Sequence, residues 1–194
     1  MSVKIGLTLK RICLFIWIAI PITCLSFYLY DPQLFTPEHI AEFLLRFKNE
    51  ILILYVGISI MRGFTLLPST PLVIAGTLIY PNDPLLVMIV SMTGILLSSS
   101  LIYYFSEVLG FTEFFERKRP QFTQRIRSQM ERPWGILFVF LWAFFPLVPT
   151  DAVCYVAGTI RMTFWKFIAA IFFGELILCS FYIFSGHYVL YLLA

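Results

Sequence analysis

The stretch LPSTPLVIAGT, Leu67 to Thr77, returns in altered form as VPTDAVCYVAGT, Val148 to Thr159. Each sets proline and small polar residues in the middle of a long apolar run, and each closes on Ala-Gly-Thr. Proline removes a backbone donor and crowds the preceding turn, so a straight helix does not pass through either stretch. The 194-residue chain around them is 60% hydrophobic and 13% charged, with a mean hydropathy of +0.88. Soluble domains are about one quarter charged, and apolar runs of about 18 residues or more have the length of a bilayer span. The composition specifies an integral membrane protein, and both broken runs lie within its embedded part.

Residues 12 to 30 follow Lys10 and Arg11 as the core of a signal peptide would. The run is too long for that role and no small-residue cleavage site follows it, so it reads as a retained transmembrane helix. Four further apolar blocks cover 51 to 80, 85 to 108, 133 to 160 and 164 to 194. Cys13, Cys24, Cys154 and Cys179 all fall inside apolar segments, with no C-x-x-C pair or neighbouring histidine, which suits buried thiols and offers no metal site.

Charge threads the blocks through the membrane. Lys4, Lys10, Arg11, Arg117, Lys118, Arg119, Arg125, Arg127, Arg132, Arg161 and Lys166 make eleven of the fourteen basic residues, and the positive-inside rule assigns them to the cytoplasm. Arg46 and Lys48 stand among Asp31, Glu38, Glu42 and Glu50 in a segment read as external. Between 31–50 outside and 111–132 inside the chain crosses an odd number of times, and helix 85–108 supplies one crossing. Block 51–80 must then enter and return on the outer side, turning near LPSTP. By the same parity, block 133–160 enters and returns on the inner side.

The expected fold is therefore all-α: an inverted repeat of two re-entrant hairpins, each followed by a transmembrane helix, behind an N-terminal transmembrane helix. In domain terms, 1–50 holds the first helix and an external amphipathic helix, and 51–194 forms the membrane domain. Repeat 1 is 51–110, a basic connector is 111–132, and repeat 2 is 133–194. Gly94 and Ser100 match Gly174 and Ser180 across the repeats, and Gly76 matches Gly158. Discontinuous helices of this kind meet near the midplane of transporters, and irregular backbone there survives only inside protein or beside a wet cavity.

Thr70 before Pro71 reads as an N-cap with proline at the first helical position, and Thr150 with Asp151 offers two capping side chains. Half-helix N-termini present unpaired N–H groups and partial positive charge, so two such tips facing each other make an anion site. The alternative is a pair of ordinary helices kinked by proline, which leaves the charge parity without an explanation.

The segment PLVPTDAVCYVAGTIRM, Pro146 to Met162, together with LPSTPLVIAG and the helix from Gly94 to Gly110, resembles the VTT-domain proteins, the DedA-like and "SNARE-associated Golgi protein" families, over roughly residues 50 to 190. That resemblance implies two re-entrant hairpins and movement of lipids between leaflets. It implies phospholipid scrambling in eukaryotic members and handling of polyprenyl-phosphate or phospholipid in bacterial ones, often coupled to the proton gradient, with residence here in a bacterial inner membrane. Two departures stand out. Many members carry an acidic residue before the first hairpin proline and an arginine before the second, where this chain has Arg62 and Ala143.

Arg62 and Glu175 each lie about 16 Å into their segments at 1.5 Å per residue, and a lone charge at that depth costs on the order of 3 kcal/mol. Arg62 pairs either with Asp151 or with Glu175 in a static link between repeats, or it meets a substrate phosphate while an acidic neighbour takes a proton. The substrate-binding set is Arg62, Pro68, Ser69, Thr70, Pro149 and Thr150; the proton-coupling pair is Asp151 and Glu175, Asp151 ahead. Thr36 and Pro37 open an external helix with Ile40, Phe43, Leu44 and Phe47 on one face, and Phe122, Ile126 and Met130 recur in a basic one; both read as surface-lying. Trp134, Trp165, Tyr28 and Tyr30 suit interfacial belts.

An H-E-x-x-H motif is missing, and no serine or cysteine stands beside a base, so neither catalysis nor a cofactor is expected. The partners expected are membrane lipids, anionic or phosphate-bearing, and no nucleic acid; a homo-oligomer stays open. The reading is a lipid flippase or scramblase with its N-terminus cytoplasmic and its C-terminus outside. A small-solute transporter and a non-transporting scaffold are the alternatives.

Overall fold

The computed structural model describes residues 15, 19–24, 26–63, 65, 69–108, 120–146 and 148–193. Among these, every regular element is helical. Helical residues 19–24 and 26–30, here α1, lead through a 3-10 turn at Pro32–Phe35 into α2 (Pro37–Leu45). Then come α3 (Ile51–Arg62), α4 (Thr70–Ile79) and α5 (Pro84–Val108). After the undescribed residues 109–119 follow α6 (Pro120–Met130), α7 (Pro133–Phe144), α8 (Thr150–Thr159) and α9 (Phe164–Leu193). The rest of the 12–30 run, and with it Lys4, Lys10, Arg11 and the cluster Arg117 to Arg119, lies outside the described residues.

Length separates the helices into two kinds. Pro84–Ser106 in α5 and Phe164–Gly186 in α9 are long and apolar enough to cross a membrane. By contrast α3 and α7 have 12 residues each and α4 and α8 have 10, about 18 Å and 15 Å of helix against a hydrocarbon core of about 30 Å. Each long run broken by proline in the sequence is thus two short helices with a turn between them.

Glycine contacts give the directions. Ser59 of α3 rests on Gly94 of α5, and Gly63, four residues on, rests on Ser98, also four residues on. α3 therefore runs parallel to α5, and α4 runs back, since Gly76 near its end meets Tyr55 of α3 and Val87 near the start of α5. Cys154 of α8 lies against Ser99 and Gly158 against Tyr103 and Ser106, so α8 also runs parallel to α5. α9 runs the opposite way, since Phe164 and Phe167 at its start pack on Tyr103 while Gly186 near its end meets Thr77 of α4. The short helix before each break packs on the long helix of its own unit, α3 on α5 and α7 on α9. The short helix after each break packs on the long helix of the other unit, α8 on α5 and α4 on α9.

These crossings are close because side chains are missing at them. A Cβ on Gly94 would stand 2.5 Å from the Ser59 Cβ, and one on Gly174 2.7 Å from the Phe140 carbonyl oxygen. Gly76 lies under the Tyr55 ring and Gly158 under the Tyr103 carbonyl. Small residues bring helix backbones together where lipid gives no hydrophobic drive between them. The main core joins Ile95 and Ile102 of α5 to Val139, Val153, Ala157, Phe167 and Ile171. A second cluster of Leu44, Tyr55, Leu72 and Val90 binds α2 to α3, α4 and α5.

Helix α2 corrects one expectation. Thr36 is the N-cap residue of α2 and Pro37 opens it, but its apolar residues do not form one surface-lying face. Ala41 and Leu44 are buried where α2 packs on α4, leaving Phe43 and Phe47 exposed in edge-to-face contact. The reason is angular: Leu44 sits about 100° round from Phe43 on a helix, so one can serve the protein core while the other stays outside it. In α6, Thr123 and Met130 are buried and Ile126 packs on the core beside α7; the Phe122 side chain lies outside the description.

The turn at residues 131–132 meets the link 161–163 and the first turn of α9. The Glu131 carboxylate accepts the backbone N–H of Thr163 at 2.5 Å, the Thr163 hydroxyl at 3.0 Å and the Lys166 ammonium at 2.7 Å, and Lys166 Nζ also donates to the Glu131 carbonyl. Partial desolvation pushes the Glu131 carboxyl up, but Lys166 and the two Thr163 donors outweigh it and hold its pKa below the ordinary value. Just before this clasp α8 ends with Met162 N–H on the Ala157 carbonyl and Arg161 N–H on that of Gly158. Arg161 adopts φ +54° there, the left-handed position that such a C-cap requires and that glycine usually fills.

Candidate functional site

The two tips are built differently from the capped helix starts that the sequence suggests. Thr70 is the first residue of α4, with Ser69 in the N-cap position and Pro71 following. Thr150 is the first residue of α8, with Pro149 in the N-cap position and Asp151 inside the first turn. Neither helix has a side-chain cap hydrogen bond. The Thr150 hydroxyl donates instead to Glu175 Oε1 at 2.5 Å, a bond to a carboxylate that outbids a neutral cap. The Pro149 carbonyl accepts Trp142 Nε1 at 3.2 Å, which fixes the turn between α7 and α8. Pro68 lies outside the described residues.

Arg62, Asp151 and Glu175 come together in the interior, at 7%, 1% and 0% exposure. Arg62 ends α3, Asp151 is the second residue of α8, and Glu175 lies one residue beyond Gly174 in α9. Arg62 Nη1 stands 3.6 Å from Asp151 Oδ2. Of the two acidic partners the sequence allowed, Asp151 takes the ion pair. That distance is beyond hydrogen-bond range, so the two charges attract without a closed bidentate contact. Removing one member of such a buried pair costs about 3–5 kcal/mol.

Glu175 joins the tips. It accepts from the Thr150 hydroxyl at the start of α8 and lies near Ser69, the N-cap residue of α4. One side chain on a long helix thus lies at the starts of both short ones, bonded to that of α8. The sequence reading placed Glu175 near mid-depth but had no signal for this bridge, since it depends on how α4 and α8 cross α9. Around it, Tyr55 Oη and Ser91 Oγ lie 2.9 Å apart, and Cys154 Sγ rests on the Thr150 carbonyl.

A cavity of about 510 Å³ opens beside this cluster, with Arg62 at one edge. Its walls carry Tyr28, Phe35, Phe43, Ile58, Met61 and Leu72, drawn from α1 through α4. His39, Glu42 and Arg46, spaced along one side of α2, supply most of its remaining polarity. On another side Arg62 borders a void of about 10 Å³ that also touches Ser59, Ser69 and Ser91. The arrangement can hold an amphiphile, with hydrocarbon against the walls and an anionic group at the guanidinium.

The family model for the VTT domain matches residues 67–188, from the turn before α4 into the last part of α9. No curated protein and no solved structure matches the chain.

Proposed function

The chain belongs to the VTT-domain family, and on that premise we propose that this membrane protein moves a phosphate-bearing lipid between leaflets as a flippase or scramblase. The observation that carries the reading is the apolar cavity with buried Arg62 at its edge. A solute transporter calls for a wet vestibule and a scaffold for a dry, closed tip region; walls mostly of aromatic and aliphatic side chains, with the guanidinium groups of Arg46 and Arg62 among them, suit a lipid phosphate better than either. Arginine grips phosphate bidentately, and the half-helix starts at Ser69–Thr70 and Pro149–Thr150 add partial positive charge.

In this reading α3–α4 and α7–α8 are re-entrant hairpins inserted from opposite faces, related as an inverted repeat. The exchange of α4 and α8 between the long helices supports it. The Glu131 clasp supports one common side for 131–132 and 161–166, and the positive-inside rule makes that side cytoplasmic. The N-terminus is then cytoplasmic and the C-terminus outside, in the inner membrane of a bacterium. Arg62 faces two carboxyls, so a phosphate that takes Arg62 leaves excess negative charge, which proton uptake by Asp151 or Glu175 relieves.

Reconstitution into liposomes with a panel of fluorescent lipids tests the proposal. Phosphate-bearing lipids are expected to reach a membrane-impermeant reductant much faster than in protein-free vesicles. Exchange no faster than in those vesicles, for every lipid of the panel, would overturn it.

A further inference from the structure

We infer that the lipid taken into the cavity carries an ammonium next to its phosphate, and that Glu42 and Arg46 of α2 recognise the two charges of that headgroup. The inference rests on the phosphate-lipid reading above and names the headgroup class.

Helix α2 gives the cavity one stripe of side chains, with His39, Glu42, Phe43 and Arg46 all in its lining. These positions recur at three- and four-residue steps, so they follow one another along a single face of the helix. Arg46 belongs to that face because it is the C-cap residue and keeps helical backbone angles. Among the described residues Glu42 is the one carboxylate in the lining, and it repels a headgroup that is only anionic. Arg46 and Arg62 supply a phosphate with a guanidinium from each of two helices. An acidic group set with these among apolar walls fits a headgroup that holds both signs.

The charges on α2 are also uncommitted. Glu42 and Arg46 stand four residues apart, acid before base, the spacing at which such side chains commonly pair across a helical turn. Among the described residues neither makes an ion pair, with each other or elsewhere. By contrast His39 is engaged, its Nδ1 lying 3.1 Å from the Thr36 hydroxyl oxygen, and Arg62 has Asp151. An ammonium on a two-carbon arm reaches about 5 Å beyond its phosphate, roughly the separation of residues four apart on a helix. One such headgroup therefore spans Glu42 and Arg46, with its acyl chains along the aromatic and aliphatic walls. Because α2 precedes residues 67–188, the headgroup is chosen by a helix outside the stretch that matches the VTT domain.

Calorimetric titration of the purified full chain in detergent at neutral pH tests this with two dioctanoyl lipids that share a phosphodiester. Phosphatidylethanolamine bears the ammonium and phosphatidylmethanol lacks it. Wild type should bind the first at least about fivefold tighter, the effect of one attraction between unit charges about 4 Å apart in water. Glu42→Gln, at an exposed position, should keep the fold and lose that preference, while Glu38→Gln, on the same helix but outside the cavity lining, should retain it. Arg46→Gln should weaken binding of both lipids. Binding by wild type with no preference for phosphatidylethanolamine, or a preference that survives in Glu42→Gln, would overturn the ammonium role and leave the phosphate reading intact. Binding of neither lipid by wild type would overturn the phosphate reading, and the inference with it.

Discussion

Arg62 and Asp151 hold opposite charges where water barely reaches, at 7% and 1% exposure. Arg62→Met should destabilise the protein by about 3–5 kcal/mol because it strands the carboxylate, and the double variant Arg62→Met/Asp151→Leu should recover most of that loss; chemical denaturation in detergent measures both. Arg62→Lys retains charge but loses the planar fork. Transport should fall more than about tenfold with the fold intact, whereas normal transport by Arg62→Gln would reduce the residue to a structural one. These side chains were legible in the sequence as charges inside apolar runs. Which carboxyl pairs with Arg62 was not, because α3 and α8 approach only through packing across the two units. The Thr-Pro cap failed for a local reason: α4 begins one residue earlier than its proline suggested, which moves the cap position to Ser69.

Among the elements, close backbone approach and one clasp decide most. Gly158 of α8 lies against the Tyr103 carbonyl of α5 and leaves no room for a methyl group, so Gly158→Ala should cost about 1–3 kcal/mol through overpacking. Gly57 in α3 has open space around it, and Gly57→Ala should instead stabilise by about 0.5–1 kcal/mol; thermal unfolding of the two variants checks the contrast. The Ala-Gly-Thr repetition made Gly76 and Gly158 readable, since close helix crossings leave a mark in sequence. The Glu131 clasp left none, because residues 131 and 163 are far apart in the chain and join only at a tertiary crossing. Its pKa is lowered in the folded state, so its contribution is present above the ordinary value of 4.5 and is lost as pH falls through the lower folded value. Glu131 is partly exposed, and Glu131→Gln should cost no more than about 1 kcal/mol. The same variant should lower the stability curve by that constant amount near neutrality and flatten it below pH 4.5, so that it approaches wild type in acid, which a pH series of unfolding transitions would reveal.

For the whole molecule, apolar block lengths and the placement of basic residues predicted both broken runs and both long helices to within a few residues. What they could not supply is the cavity under α2, because it depends on Ala41 and Leu44 turning inward while Phe43 stays exposed. The central claim is that 51–80, long enough in residues to cross a bilayer once, enters and returns on the same side. Single cysteines placed at Lys48, Asp83, Ser128 and Arg161 in a background without Cys13, Cys24, Cys154 and Cys179 test it with a membrane-impermeant thiol reagent. Positions 48 and 83 should label only from outside, and 128 and 161 only from the cytoplasm; labelling of 48 and 83 from opposite sides would contradict the account.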